Sequence, residues 1–248
     1  MTIIEELIQI GQKEGKGIKI SEVRVGINWT CVLSKFCGVS ATNAHCGEPE
    51  EVNEVRDSGY LHEKTVDELA EYLNSWSPVE SAIGLATINS VLEPKGKENV
   101  NALDLVKELG KGKIVTFVGL FPKINELKNV AKEVYVLELD PYLINPKHNI
   151  LPSTVAHIIL PKSDVVVITS STIINKSIDY LLELSRGAYT ILTGPSTPFT
   201  SVLFDYGVTV LAGIEVKDPK TFLLKISQGG GMLSPKRFKE VIYRVWEK

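Results

Sequence analysis

The second half of the chain contains five short runs of mainly β-branched and apolar residues, and these runs constrain the fold most. They cover residues 113–120, 134–139, 164–170, 188–194 and 208–214. Segments with helical punctuation separate them. Strands that are apolar on both faces and alternate with helices are typical of a parallel sheet covered by helices on both sides. The sequence therefore predicts a Rossmann-like domain with a doubly wound parallel sheet.

The first half has another pattern and predicts a small α+β domain. An amphipathic helix begins near residue 3, and residues 23–33 alternate between apolar and polar side chains with the period of one half-buried strand. The segment GVSAT (38–42) is predicted to pair with that strand. Two helices with capping boxes follow, at Thr65–Glu68 and Ser77–Glu80.

Proline-containing segments predict a domain boundary and the start of a late helix. The polar stretch 94–100 contains Pro and Gly and predicts the boundary between domains 1–95 and 101–248. Near the C-terminus, Ser234–Pro235 predicts the start of a helix, because a hydroxyl cap followed by proline is a common helix N-terminus.

Charge and composition narrow the class of protein. The 27 basic residues are scattered among 30 acidic ones, giving a net charge of -3, and a basic cluster typical of nucleic-acid binding is missing. A run of eighteen apolar residues is also missing, so no membrane span is predicted. Three cysteines and a start unlike a signal peptide favour a cytoplasmic protein. The predicted partner is a small molecule, and a homo-oligomer is compatible with the sequence.

Three predicted strands end in loops rich in glycine, proline and hydroxyl groups. In an open parallel sheet, ligands bind at this edge, beside the following helix N-termini. Single loops of this kind are ordinary helix caps, but three together favour a ligand site. The residues concerned are Gly119 and Pro122 after the first strand, Thr169, Ser170, Ser171 and Thr172 after the third, and Gly194, Pro195, Ser196 and Thr197 after the fourth.

The second predicted strand ends near Glu138 and Asp140, about where dinucleotide-binding domains place a ribose-binding acid. The glycine-rich G-x-G-x-x-G loop that such domains use is missing, so NAD or FAD in the usual pose is not expected. These acids support an alternative hypothesis, a Rossmann-type transferase that uses S-adenosylmethionine.

Cysteine, histidine and asparagine residues provide further candidates in the first half. Cys31 is predicted to be a core residue, whereas Cys37, His45 and Cys46 could together form a metal site, although C-x-x-C spacing is missing. Asn89 falls on the apolar stripe of its helix and must find a hydrogen-bond partner there, with a backbone group favoured over a ligand.

Five segments resemble a family of uncharacterised proteins labelled "putative heavy-metal chelation domain". They are GINWTCVL (26–33), ESAIGLATINSVL (80–92), ITSSTIINKSIDYLLEL (168–184), LTGPSTPFTSVLFDYGVTVLAGIEV (192–216) and QGGGM (228–232). The resemblance covers nearly the whole chain. It implies an N-terminal domain similar to the enolase N-terminal fold, a C-terminal Rossmann-like domain and a cleft between them. It also implies a role in metal chelation, or in handling a small pterin-like or siderophore-like chelator.

Carried over to this chain, the resemblance places further residues beside the predicted loops. Asn175 joins the hydroxyl run, and Asn28, Thr30 and Asn89 reach the cleft from the first domain. The leading hypothesis is therefore a protein that binds, and could process, a small anionic or metal-chelating molecule, with a small anion between Thr169–Thr172 and Gly194–Thr197. A non-catalytic metallochaperone is the third hypothesis. No catalytic residue or cofactor is predicted.

Overall fold

An eight-stranded sheet forms the centre of the computed structural model, which describes residues 1–43 and 54–248. Its strands, in spatial order, are β4 (Lys97–Glu98), β11 (Val241–Glu247), β10 (Val210–Val216), β9 (Tyr189–Thr193), β8 (Val165–Thr169), β5 (Ile114–Val118), β6 (Glu133–Glu138) and β7 (Ile150–Pro152). All five predicted strands of the second half are present.

Six neighbouring strands of this sheet, from β10 to β7, are parallel. Counted from β5 as the first strand, their spatial order is that of a doubly wound Rossmann sheet, with the order reversing between β5 and β8. The central strands are apolar on both faces because helices cover both sides, as Val165–Ile168 show by being fully buried. The predicted fold class is confirmed.

Helices flank this sheet and connect its strands. They are α4 (Ala102–Leu109), α5 (Ile124–Leu127), α6 (Ala156–Ile159), α7 (Ser171–Ile174), α8 (Ile178–Leu184), α9 (Val202–Asp205) and α10 (Pro219–Ser227), with short 3₁₀ turns at Pro141–Leu143, Pro146–His148, Ser153–Val155 and Leu160–Lys162. Asp218 caps α10 by accepting a hydrogen bond from the Thr221 N–H (3.2 Å), as its position before a proline predicts.

The helix predicted from Ser234–Pro235 is wrong. The Ser234 carbonyl accepts bonds from the N–H groups of Arg237 and Phe238, but the chain makes one turn only and then enters β11. This strand pairs antiparallel with β10 along seven residues, from Val210↔Glu247 to Val216↔Val241. Pairing with an otherwise exposed sheet edge therefore outweighs the local helix-start signal.

The first half forms a three-stranded antiparallel sheet with helices on one side. Its elements are α1 (Ile3–Glu14), β1 (Glu22–Val25), β2 (Trp29–Leu33), β3 (Cys37–Ala41), a 3₁₀ turn (Leu61–Glu63), α2 (Val66–Ala70), a 3₁₀ turn (Glu71–Asn74) and α3 (Pro78–Asn89). The capping box at Thr65–Glu68 is formed, whereas Ser77 accepts only a long bond from the Glu80 N–H and the Glu80 carboxylate pairs with Arg56.

The single strand predicted over residues 23–33 is wrong, because the chain turns back between β1 and β2. Gly26 lies at this turn and donates its N–H to the Trp29 carbonyl (2.9 Å). A Cβ atom at Gly26 would stand 2.8 Å from the Ile226 carbonyl oxygen, so the turn packs closely against the end of α10. Alternating apolar residues thus continue through a turn, which leaves Ile27 79% exposed.

The two halves of the chain share a hydrophobic core. Helix α3 is buried on all sides from Val79 to Ile88, and α1 packs beside it. At the start of α1, the Ile3 N–H donates to Asp179 Oδ1 on α8 (2.9 Å), which fixes α1 to the helical layer of the large sheet. The domain boundary at residues 95–101 stays a prediction. Among the described residues, no helix is long and apolar enough to cross a membrane.

Candidate functional site

The loop after β9 is held against the small sheet by side-chain hydrogen bonds. Ser196 Oγ accepts a bond from the Ala41 N–H at the edge of β3 (2.9 Å). The Asn89 amide nitrogen Nδ2 donates to the Val39 carbonyl (3.0 Å) and to the Ser196 carbonyl (3.1 Å). Asn89 therefore bridges α3, β3 and this loop, and its predicted backbone partners are confirmed.

A cleft opens beside this bridge, and we call it the Asn89–Thr197 cleft. The space between its walls is about 330 Å³ when open solvent is included, and its cavity volume is about 20 Å³. Among the described residues that line it, none carries a charge at neutral pH. They are Phe36, Cys37, Gly38, Val39, Asn89, Leu92, Pro94, Pro195, Thr197, Phe199 and Ile214.

Two buried oxygen atoms of residues lining the cleft have no hydrogen-bond partner among the described residues: Asn89 Oδ1 and Thr197 Oγ1. The Asn89 amide cannot be turned over, because its oxygen would then face the carbonyls of Val39 and Ser196. Thr197 is only 3% exposed, so bulk water does not satisfy its hydroxyl. A buried oxygen without a partner costs about 1–3 kcal/mol. Asn89 and Thr197 both line the cleft, so this part of the molecule has hydrogen-bonding capacity that no described residue uses.

Three of the four residues in the run 169–172 make hydrogen bonds within the run. Thr172 Oγ1 donates to the Thr169 carbonyl (2.7 Å), while Thr169 Oγ1 accepts a long bond from the Ser171 N–H (3.4 Å). Nearby, Asn175 Oδ1 accepts from the Ser177 N–H (3.1 Å) at the start of α8. These bonds are local to the loop, and neither short helix that follows has a side-chain bond at its N-cap residue. The role of these groups as ligands stays a prediction.

Ser170 differs from its neighbours because its buried hydroxyl has no partner in the described part of the chain. It faces Gly194, where a Cβ atom would stand 2.7 Å from Ser170 Oγ. Gly194 also has φ +137°, a conformation that residues with a side chain rarely adopt. Glycine is thus required here for both the backbone conformation and the contact between the two strand ends.

The carboxyl ends of β5 and β6 form a second polar region, where the acidic side chains are paired with backbone groups. The Glu138 carboxylate accepts bonds from the N–H groups of Leu120 (3.0 Å), Leu139 (2.8 Å) and Asp140 (3.2 Å). Asp140 Oδ1 in turn accepts from the Tyr142 N–H (2.9 Å). These bonds hold the loops after both strands, and a ribose-binding role for either acid stays a prediction.

The remaining predicted ligand residues lie away from the Asn89–Thr197 cleft. Gly119 has φ +95°, and a Cβ atom there would stand 3.1 Å from Thr169 Cγ2, at the point where the strand order reverses. Pro122 lines another cleft, with Asp104 and Lys107. Thr30 is buried and bonds to the Thr42 hydroxyl (2.8 Å), and Asn28 is exposed, 3.5 Å from the Gly230 carbonyl.

The predicted metal ligands are only partly placed. Cys37 lines the Asn89–Thr197 cleft, and burial, reinforced by the charge of Glu22, raises the pKa of its thiol to about 12. His45 and Cys46 lie outside the described residues. Within residues 1–43 and 54–248, no group of three or more His, Cys, Asp and Glu side chains could hold a metal ion.

Lys176, which follows α7, is a partly buried charged residue that the sequence analysis did not identify. Its ammonium group donates to Ser81 Oγ (3.0 Å) and to the Ile174 carbonyl (3.1 Å), joining α3 to α7. Burial lowers the pKa of this amino group. Its backbone φ of +62° is uncommon for lysine. A lysine that follows a short helix gives no sequence signal for either property.

Comparisons with known proteins support one family assignment. Two family models match the chain, over residues 8–92 and 101–245, and both carry the description "Putative heavy-metal chelation". An uncharacterized protein from Methanocaldococcus jannaschii is 31% identical over 171 residues, which make up 65% of this chain and 64% of that protein.

Two solved structures share the fold. Both are proteins of unknown function from the family whose model matches residues 101–245, and both are 24% identical to this chain. The structure from Desulfitobacterium hafniense has a TM-score of 0.83, and the one from Pyrococcus horikoshii has a TM-score of 0.79. In each case the match covers 99% of both chains.

Proposed function

This chain belongs to the family described as "Putative heavy-metal chelation", and we propose that it binds a small metal-chelating molecule in the Asn89–Thr197 cleft. The observation that carries the proposal is the pair of buried oxygens, Asn89 Oδ1 and Thr197 Oγ1, that have no partner within the described residues and border one cleft. Buried polar groups in native proteins are nearly always paired.

The lining of the cleft indicates the kind of molecule it would hold. Side chains such as Phe36, Leu92 and Phe199 line the cleft together with polar groups, and about half of the lining surface is polar. Such a lining suits a ligand that has both apolar and hydrogen-bonding atoms. Asn89 Oδ1 accepts hydrogen bonds only, so it requires an N–H or O–H group of the ligand. A pterin-like or siderophore-like chelator presents such groups. Without a cationic side chain in the lining, a neutral or metal-neutralised form suits the cleft better than a free anion.

Position in the fold supports the same site. Three of its lining residues follow β9, at the carboxyl edge where open parallel sheets bind ligands, and the small sheet covers them. The loops after β5 and β6, at the other side of the switch point, already use Glu138 and Asp140 to hold their own backbone. These features support a ligand between β3 and the loop after β9 over one on the ribose-binding side of the sheet.

Native mass spectrometry of the purified protein tests this proposal. We expect a small molecule, with or without metal, to be retained by the wild type and lost from Thr197→Val, which keeps the side-chain shape and removes the hydroxyl. The matched control is Thr116→Val, since Thr116 is equally buried but bonds to Ser163 Oγ (2.7 Å) far from the cleft.

Thermal melting with added 6-methylpterin and with acetohydroxamic acid covers the case in which the ligand is lost during purification. Stabilisation of the wild type and of Thr116→Val, but not of Thr197→Val, supports the cleft. If no molecule is retained and neither probe raises the melting temperature, the proposal is contradicted. The two oxygens are then paired with a bridging water instead.

A further inference from the structure

Two of the three cysteines lie on one face of the small sheet. Cys31 pairs with Val39 in the β2–β3 register, and Cys37 pairs with Leu33, so the two cysteines are diagonal neighbours two residues apart. Side chains two residues apart on a strand point to the same face, and diagonal Cα atoms stand about 7–8 Å apart. Both cysteines pack into the same hydrophobic cluster against α10.

The surroundings of the two thiols are mainly apolar, with the carboxylate of Glu22 acting on Cys37 from the edge. Their cluster consists of apolar side chains such as Phe222, Ile226 and Phe238. Burial raises the pKa of the Cys31 thiol well above its ordinary value, and nearby Cys37 raises it further. Each thiol by itself is thus held protonated, because a lone thiolate in this cluster would be an unpaired buried charge.

The two thiols differ in access. Cys31 is completely buried, whereas Cys37 is half-buried and borders the Asn89–Thr197 cleft. An ion or small molecule in the cleft therefore reaches Cys37 first, with Cys31 behind it. Thr197 borders the same cleft and is 3% exposed, and its hydroxyl has no partner among the described residues, which independently supports a bound group in this cleft.

We propose that Cys31 and Cys37 together form a two-coordinate site for a soft divalent cation, reached through the Asn89–Thr197 cleft. Thiolate sulfur is the protein ligand preferred by soft metals. Each thiol releases its proton to solvent as it forms a bond to the metal, so two thiolates cancel the charge of a divalent ion. The neutral complex suits the apolar cluster, whereas a monovalent ion would leave a net buried negative charge. Hg²⁺ is a soft divalent cation and serves as the probe for this site.

Sulfur counting distinguishes the pair from a single reactive thiol. We expect the Cys46→Ser variant to bind one Hg²⁺ per chain with two sulfur neighbours in X-ray absorption spectra, and to keep its circular dichroism and raise its melting temperature. Adding Cys37→Val, which preserves the apolar packing, should abolish binding in the presence of excess glutathione. Cys31→Val in the same background should leave at most one sulfur neighbour.

Two controls keep the outcome unambiguous. Thr116→Val in the Cys46→Ser background should bind Hg²⁺ unchanged, because the Thr116 hydroxyl bonds to Ser163 in another part of the chain. If Cys31→Val does not fold, the number of sulfur neighbours of Hg²⁺ in Cys46→Ser, measured without added thiol, decides between the pair and a single thiol. One sulfur per mercury in Cys46→Ser, or loss of circular dichroism on binding, would overturn the paired site.

Discussion

The carboxyl ends of β5 and β6 and those of β8 and β9 differ in how their polar side chains are paired. At the ends of β5 and β6, Glu138 and Asp140 lie on the exposed edge and bond to backbone N–H groups of their own loops. At the ends of β8 and β9, Ser170 and Thr197 are buried and unpaired within the described residues. The first region is complete without a ligand, whereas the second has hydrogen-bonding capacity left over.

This difference indicates which end of a Rossmann-like sheet without the glycine-rich loop is the better candidate for a ligand site. The usual ribose-binding acid is present in sequence but is occupied with its own backbone in the structure. At the other end, the loop after β9 packs against the small sheet, and Ser170 and Thr197 are buried. Buried, unpaired groups indicate a ligand more strongly than exposed acids do.

The largest expected effect is at Gly194. Gly194→Ala should destabilise the protein by about 3 kcal/mol, because it combines a strained backbone conformation with a contact to Ser170 Oγ. Urea unfolding followed by circular dichroism measures the loss. The double variant with Ser170→Ala should recover part of it, and additive losses would show that the two strand ends are not in contact.

Glu138→Ala is expected to cost less, about 2 kcal/mol, since three backbone N–H groups lose their common acceptor but can turn to water. Urea unfolding measures the change, and retention of a co-purifying molecule should be unaffected. Loss from this variant of a molecule that the wild type retains would show that the ends of β5 and β6 do bind a ligand. It would restore the ribose-binding hypothesis.

Thr197→Val and Thr116→Val should change stability in opposite directions. Removing the unpaired hydroxyl of Thr197 should stabilise the ligand-free protein by about 1 kcal/mol, whereas removing the paired hydroxyl of Thr116 should destabilise it by about 1 kcal/mol. Melting temperatures of both variants against wild type provide the measurement. A loss of stability in Thr197→Val would mean that its hydroxyl is paired in solution, for example to an ordered water.

The smallest expected effect is at Ser171, whose hydroxyl accepts only a long bond from Thr169 Oγ1 (3.4 Å). Ser171→Ala should change the free energy of unfolding by less than about 0.5 kcal/mol. The predicted anion between the two loops is tested in the same samples by melting with phosphate. Stabilisation that shrinks in both Ser171→Ala and Ser196→Ala supports the anion, and equal stabilisation in all three proteins contradicts it.

Much of the fold was determined by local sequence patterns. The runs 113–120, 164–170 and 188–194 became buried parallel strands because their apolar character on both faces has no other stable arrangement between helices. The capping box at Thr65–Glu68 and the Asp218 cap formed as their spacing predicts. The buried Asn89 was also recognisable, since an amide on an apolar stripe requires partners.

Only the tertiary structure decided which polar groups remained unpaired. Thr169, Ser170 and Thr172 look alike in sequence, yet Thr172 bonds to the backbone, while Ser170 faces Gly194 and has no partner among the described residues. The turn at Gly26 and the strand β11 likewise depend on distant segments, α10 and β10. Local patterns determine the spacing of apolar residues and where a helix or strand begins and ends. The hydrogen-bond partners of a buried side chain, in contrast, come from residues far apart in the chain. The candidate cleft therefore emerged only when β3, α3 and the loop after β9 were brought together.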